Sequence, residues 1–155
     1  MKLLIIGGTG GTGRELIKQA LEQGHTVTAL VRNPERVKIR DIIQYCNEGK
    51  WQLPNFQRYF DWKQKDIRDL LESIFRDYYV GSFLMWDMNK EPPLSINTIL
   101  GAKPAEDARA LSIILDGQQR MTSLYYAIKA PSIPTRRIRK PVYYYIDFNT
   151  FFSDT

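Results

Sequence analysis

Five consecutive residues, Asp116-Gly117-Gln118-Gln119-Arg120, bring together a carboxylate, a turn-forming glycine, two amides and a guanidinium. Groups of these kinds handle phosphates, metal ions and water. The apolar run Leu111 to Leu115 reads as a buried strand leading into them, and residues 118–129 read as a helix leading away. A strand-to-helix junction aims unpaired backbone N–H groups and the positive end of a helix dipole at one point, so an anion fits there. Arg120 can grip phosphate oxygens with two parallel bonds, Gly117 allows close backbone approach, and Asp116 can hold a metal ion or orient water. The same residues also spell a capping box, with Asp116 as N-cap and Gln119 three residues into the helix, worth about 1 kcal/mol without any ligand. Residue types alone leave both readings open.

A second glycine-rich junction stands at the N-terminus. Residues 2–6 (KLLII) read as a buried parallel strand, Gly7 to Gly13 as a turn, and the following stretch as a helix with Leu16, Ile17, Ala20 and Leu21 on one face, ended by Gly24. Thr26 to Val31 reads as a β-branched strand. Gly7, Gly10 and Gly13 stand where a dinucleotide fold lets its backbone meet a pyrophosphate. Arg32 stands where an acidic residue would hold a ribose 2′-hydroxyl, which suits the 2′-phosphate of NADP. GGTGGTG and LVRNPER resemble the start of NmrA-like, atypical short-chain dehydrogenase/reductase proteins over residues 1–37.

Past Val37 the further β-α units of a dinucleotide fold do not follow. Tyr125 and Lys129 have the Tyr-x-x-x-Lys spacing of a reductase acid/base pair but lie within the other motif. Ile39, Ile42, Ile43 and Cys46 mark a short amphipathic helix ended by Gly49, and Trp51 to Leu53 an extended stretch stopped by Pro54. Asn55 to Trp62 is a polar, aromatic loop. Gln64 to Arg76 reads as a helix with Ile67, Leu70, Leu71 and Ile74 inward. Strands are expected at Ser82 to Trp86 and, rich in tyrosine, at Pro141 to Phe148, with a loop from Asn89 to Pro93. Trp51, Trp62 and the tyrosines at 143–145 can stack bases, but alternating aromatics belong more often to a core.

The run LDGQQRMTSLYYAI, with LPNFQRYFDW and VGSFLMWD upstream, resembles the N-terminal domain of GmrSD-type, modification-dependent restriction endonucleases. The resemblance implies a ParB/sulfiredoxin-like α/β (α+β) fold over residues 38–155, preceded by a truncated Rossmann-type β-α-β fragment at residues 1–37. It further implies a nucleoside triphosphate with Mg2+, bound and hydrolysed to regulate DNA cleavage. Asp116, Gln118, Gln119 and Arg120 would serve catalysis. Gln57, Arg58, Gly117 and Arg120 would bind nucleotide, and Asp116 the metal. DNA would be reached through a nuclease partner or a C-terminal domain, and the pattern is that of a C-terminally truncated or fused reading frame. The alternatives are an NADP-binding, NmrA-like reductase or redox sensor, and a nucleic-acid or protein interaction module without chemistry.

Composition bounds these readings. At 155 residues, 43% apolar and 25% charged, the chain has the makings of one packed domain, which excludes disordered and disulfide-scaffold classes. The single cysteine, Cys46, forms no disulfide framework and is expected buried, in keeping with a cytoplasmic location. No apolar run reaches the roughly 18 residues of a membrane span. The net charge of +5 includes Arg136, Arg137, Arg139 and Lys140 between prolines, read as a solvated loop in preference to a phosphate-backbone contact.

Overall fold

A computed structural model describes residues 1–6, 11–30, 39–88, 90, 93–129, 132–135 and 139–148. The elements run β1 (Lys2–Ile6), α1 (Gly11–Glu22), β2 (Thr26–Leu30), α2 (Ile39–Asn47), β3 (Trp51–Pro54), α3 (Gln64–Phe75), β4 (Phe83–Asp87), β5 (Ile96–Asn97), β6 (Ser112–Asp116) and α4 (Gln118–Lys129). Among the described residues they form a six-stranded mixed sheet in the order β2-β1-β4-β6-β3-β5. The α/β class expected from the sequence is the class observed.

The sheet joins the two parts of the chain. Strands β1 and β2 pair in parallel, as a β-α-β unit requires. On its other side β1 pairs antiparallel with β4, Ile6 opposite Phe83 and Leu3 opposite Trp86. Strand β4 continues antiparallel to β6, and β6 runs parallel to β3. Because β4 opposes both of its neighbours, β1 and β6 point the same way, and their C-terminal ends lie at the same end of the sheet.

The core forms where the helices of residues 39–129 cover this sheet. Ile42, Ile43 and Cys46 of α2, Met85 of β4, Ile114 of β6 and Met121, Leu124 and Tyr125 of α4 pack into one apolar cluster, with Leu71 and Ile74 of α3 against its margin. All four residues of β3 are buried, Pro54 included, so the proline closes the strand from within. In α3, Asp66 Oδ2 accepts the Lys63 N–H at 2.8 Å, satisfying one of the helix's orphan donors.

Several sequence expectations need correction. The stretch 141–147 has no strand hydrogen bonding, and Tyr143 and Tyr145 are exposed, so their alternation is not that of a core strand. Trp51 does lie in the core. Leu21 and Ile39, placed on inward faces by periodicity, are exposed, each lying in a terminal turn of its helix. Strands β4 and β6 each lie one residue later than read. Gly7, Gly10, Arg32, Arg136 and Arg137 fall outside the described residues, as does most of the 89–93 loop, while Arg139 and Lys140 are exposed. Among the described residues no helix is long and apolar enough to cross a membrane.

Candidate functional site

Strand β6 ends on an irregularity. Leu84 pairs with Asp116 but Met85 pairs with Ile114, so Leu115 is one residue too many for the ladder. Such a bulge bends a strand and frees carbonyls from their ladder partners. The Gln57 side chain takes them up: its Nε2 donates to Ile114 O at 2.8 Å and Leu115 O at 2.9 Å. The bulge delivers the chain into Gly117, whose φ of +94° suits glycine. A Cβ at Gly117 would also lie 2.5 Å from Phe83 Cδ1, so shape and backbone both demand glycine. Helix α4 starts immediately after, with Met121 N–H donating to Gly117 O at 2.9 Å.

The two glutamines of the motif turn away from the helix end and toward the loop of residues 57–61. Gln118 Nε2 donates to Arg58 O at 2.8 Å. Gln119, buried, accepts from the Asp61 N–H at 2.9 Å and donates to Tyr59 O at 3.1 Å. With Gln57 holding the bulge, three amides stitch this loop over the junction. The capping box is therefore not formed: Gln119, its expected second member, spends both ends of its amide on the loop, and Asp116 closes β6 with a largely exposed side chain.

Arg120 points across the junction to the entrance of β4. Its Nη1 donates to Val80 O and its Nη2 to Ser82 O, each at 2.7 Å, while Cζ lies 5.0 Å from the centre of the Phe83 ring. Gly81 lies beneath this fork, and a Cβ there would collide with the guanidinium. Asp116 Oδ2 is 3.6 Å from Nη2. Arg120 is thus committed first to backbone carbonyls and only in part to whatever enters the site. Sequence reading missed this anchor, because carbonyl acceptors carry no residue signature. The lone sign was Gly81, a glycine directly ahead of an apolar strand.

Together these residues line a cavity of about 350 Å³: Gln57, Arg58, Trp62, Leu115, Asp116, Gly117, Gln118, Gln119 and Arg120. The structure therefore brings the upstream Gln57-Arg58 pair and all five motif residues to one mouth. Its volume is at the lower end of small-molecule sites. Arg58 supplies an exposed cation, the start of α4 a positive dipole end, and Asp116 a carboxylate. Gln57 Oε1 is buried without a hydrogen-bond partner, an acceptor that a ligand or water donor would satisfy. Among the described residues no group of three His, Cys, Asp or Glu could hold a metal on its own. Asp116 alone still fits Mg2+, which is commonly held by one or two carboxylates together with substrate phosphates. A separate cavity of about 410 Å³, between α3, α4 and residues 144–147, is mostly apolar and contains none of the motif residues.

The remaining sequence candidates stand apart. Gly13 is buried within α1, at the head of the β1–α1–β2 unit. Tyr125 is buried and donates to Asn47 Oδ1 at 2.9 Å, and burial, reinforced by the nearby Cys46, raises its pKa. A reductase acid/base tyrosine needs the opposite shift. Burial likewise pushes the Cys46 thiol up to about 12, so it is a core residue and not a nucleophile.

Comparison with known proteins divides along the same line. A model of the GmrSD restriction endonuclease N-terminal domain matches residues 39–154, and an NAD(P)H-binding model matches residues 7–46. An uncharacterized protein of Methanocaldococcus jannaschii is 38% identical over 119 residues, 74% of this chain and 20% of that protein. The photosystem II assembly factor Ycf39 of Synechocystis is 54% identical over 33 residues, 21% of this chain and 10% of the factor. The uncharacterized protein YwnB of Bacillus subtilis is 48% identical over 42 residues, 27% of this chain and 20% of YwnB. The chain spans a fifth or less of the length of these curated relatives. No solved structure matches it.

Proposed function

The chain belongs to the family of GmrSD restriction endonuclease N-terminal domains, and on that premise we propose that it is the nucleotide-responsive module of a restriction, or phage-defence, system, binding a nucleoside triphosphate at the β6–α4 junction. One observation carries the reading. The loop bearing Arg58 is stitched by three glutamine amides onto a glycine turn and a helix N-terminus, so two guanidinium groups and a helix dipole face one cavity. Gly117 lets phosphate oxygens reach the backbone. Arg58 meets them with a charge free of the structural duties that hold Arg120. Asp116 is the group suited to Mg2+, which would offset its own repulsion of phosphate and supply the Lewis acid for hydrolysis. DNA would be engaged by a nuclease partner or by another domain.

The test is a calorimetric titration of the chain with GTP, ATP and CTP in Mg2+, repeated on Arg58→Ala. Charge-assisted bonds to phosphate are worth about 1.5–3 kcal/mol, so the variant should bind at least about ten-fold more weakly with its melting temperature unchanged. Chelation of Mg2+ should weaken binding to the wild type as well. Equal affinity in Arg58→Ala and wild type would remove the site from the junction.

A second reading has one observation in its favour, the parallel β1–α1–β2 unit, with an NAD(P)H-binding match that begins just after β1. Among the described residues that unit lacks the rest of a doubly wound sheet, since the other neighbour of β1 is antiparallel. NADPH should therefore bind at least about a hundred-fold more weakly than the best nucleoside triphosphate, a gap of about 2.7 kcal/mol. A low-micromolar NADPH complex that disappears on Arg32→Ala would promote the reductase or redox-sensor reading instead.

A further inference from the structure

The phosphate cavity does not end at its own rim. A second cavity, of about 520 Å³, shares Trp62 and Arg120 with it and extends along α3, lined also by Asp66, Asp69, Leu70 and Tyr79. The two differ in charge. To the shared Arg120 the first adds the Arg58 guanidinium and the Asp116 carboxylate, whereas the second adds two carboxylates and no further cation. Asp69 shares its charge with Lys65 and Arg68, but Asp66 makes no ion pair among the described residues, its Oδ2 accepting only the Lys63 N–H. A triphosphate is therefore favoured in the first cavity over the second. What suits the second is an uncharged, planar group with N–H donors, between the Trp62 indole, the Leu70 side chain and the Tyr79 ring. Tyr79 is steadied by its hydroxyl, 2.7 Å from Ser82 Oγ, at the same segment that Arg120 grips.

We infer that the base of a bound nucleotide lies in this second cavity, stacked on Trp62, with its phosphates in the first, an inference that rests on the nucleotide reading above. Trp62 is then the residue that separates a nucleotide from a bare polyphosphate. Every base offers a π-face, so stacking of this kind tolerates different bases. It also fixes the direction of the ligand, base toward α3 and terminal phosphate toward Arg58.

The experiment compares GTP and ATP with inorganic tripolyphosphate, each with Mg2+, on wild type, Trp62→Ala and Trp62→Phe. Stacking on one aromatic is worth a factor of about ten or more, so wild type should prefer the nucleotides by at least that factor. Trp62→Ala should weaken the nucleotides by a far larger factor than tripolyphosphate and so remove most of the preference, and Trp62→Phe should keep most of it. Should Trp62→Ala not fold, fluorescence of the wild type supplies the answer. The chain has three tryptophans, and a nucleotide should quench emission that tripolyphosphate leaves alone, with the quench absent in Trp62→Phe. Nucleotide preference unchanged in Trp62→Ala, or quenching unchanged in Trp62→Phe, overturns the stacking role and leaves the phosphate site standing. Failure of nucleotides and tripolyphosphate alike to bind overturns the nucleotide reading, and this inference with it.

Discussion

The chain contains two junctions of the same kind, a strand running through glycine into a helix, and they differ in what surrounds them. Helix α1 rests on its own two strands and buries only Gly13 and Ala20. Helix α4 buries seven of the eight residues from Gln119 to Tyr126, all but Arg120, against α2, α3 and the sheet. At the second junction a loop from elsewhere in the chain is stitched across the mouth and an arginine is anchored beside it. A helix N-terminus offers an anion a direction, and a site also needs a second element that faces it. The glycine pattern at the first junction is the more conspicuous of the two, yet among the described residues the second is the one so equipped.

Substitution of the glycines would sharpen that contrast most. At Gly117 a methyl group meets both the positive φ and the Phe83 ring, so Gly117→Ala should lose about 3 kcal/mol and roughly 10 °C in melting temperature. At Gly11 a Cβ would meet nothing within 4 Å, so Gly11→Ala should stay within about 0.5 kcal/mol of wild type, on the favourable side. Equal losses at the two positions in thermal melts would erase the distinction drawn here.

Arg120 comes next. Its removal takes away the bonds to the Val80 and Ser82 carbonyls and the contact with Phe83, so Arg120→Ala should destabilise by about 2 kcal/mol before any ligand is considered. A lysine cannot span both carbonyls and should recover less than half of that. If urea titration finds Arg120→Ala as stable as wild type, the guanidinium is a ligand group and not an anchor.

Asp116→Asn should be nearly silent in stability, within about 0.5 kcal/mol, because its pairing with Arg120 is long and its side chain is exposed. Hydrolysis of the nucleotide should nevertheless fall about ten-fold or more, and further than binding does. Unchanged turnover in Asp116→Asn would leave that carboxylate without a chemical role.

The smallest effect at neutral pH belongs to Cys46. Burial raises its folded-state pKa from the ordinary 9.0 to about 12, so the folded state disfavours the thiolate more than the unfolded state does. That contribution to stability is complete below pH 9 and is lost as the pH climbs through about 12. Native protein at pH 8 should accordingly resist iodoacetamide until it is unfolded, and rapid native alkylation would contradict the buried placement.

The legible parts of the molecule were those whose physics is local. The apolar run into Asp116 gave away β6, and the spacing of Ile42, Ile43 and Cys46 gave away the inner face of α2. Other features depend on partners that no window contains. Arg120 bonds to carbonyls 38 and 40 residues away, and Gln57 to carbonyls 57 and 58 residues away. The capping box between Asp116 and Gln119 failed for the same reason, since a distant loop claimed the glutamine. Residues 141–148 erred the other way: their alternation imitates a strand, but a strand exists only beside another with free hydrogen-bonding groups.

The antiparallel seam between β1 and β4 carries a consequence that is independent of any ligand. Strand β4, with its sequence Phe-Leu-Met-Trp-Asp, would have one flank unpaired without β1, and a row of open backbone donors and acceptors beside so apolar a strand is a template for another chain. Pairing with β1 thus closes that edge, a structural service independent of any cofactor.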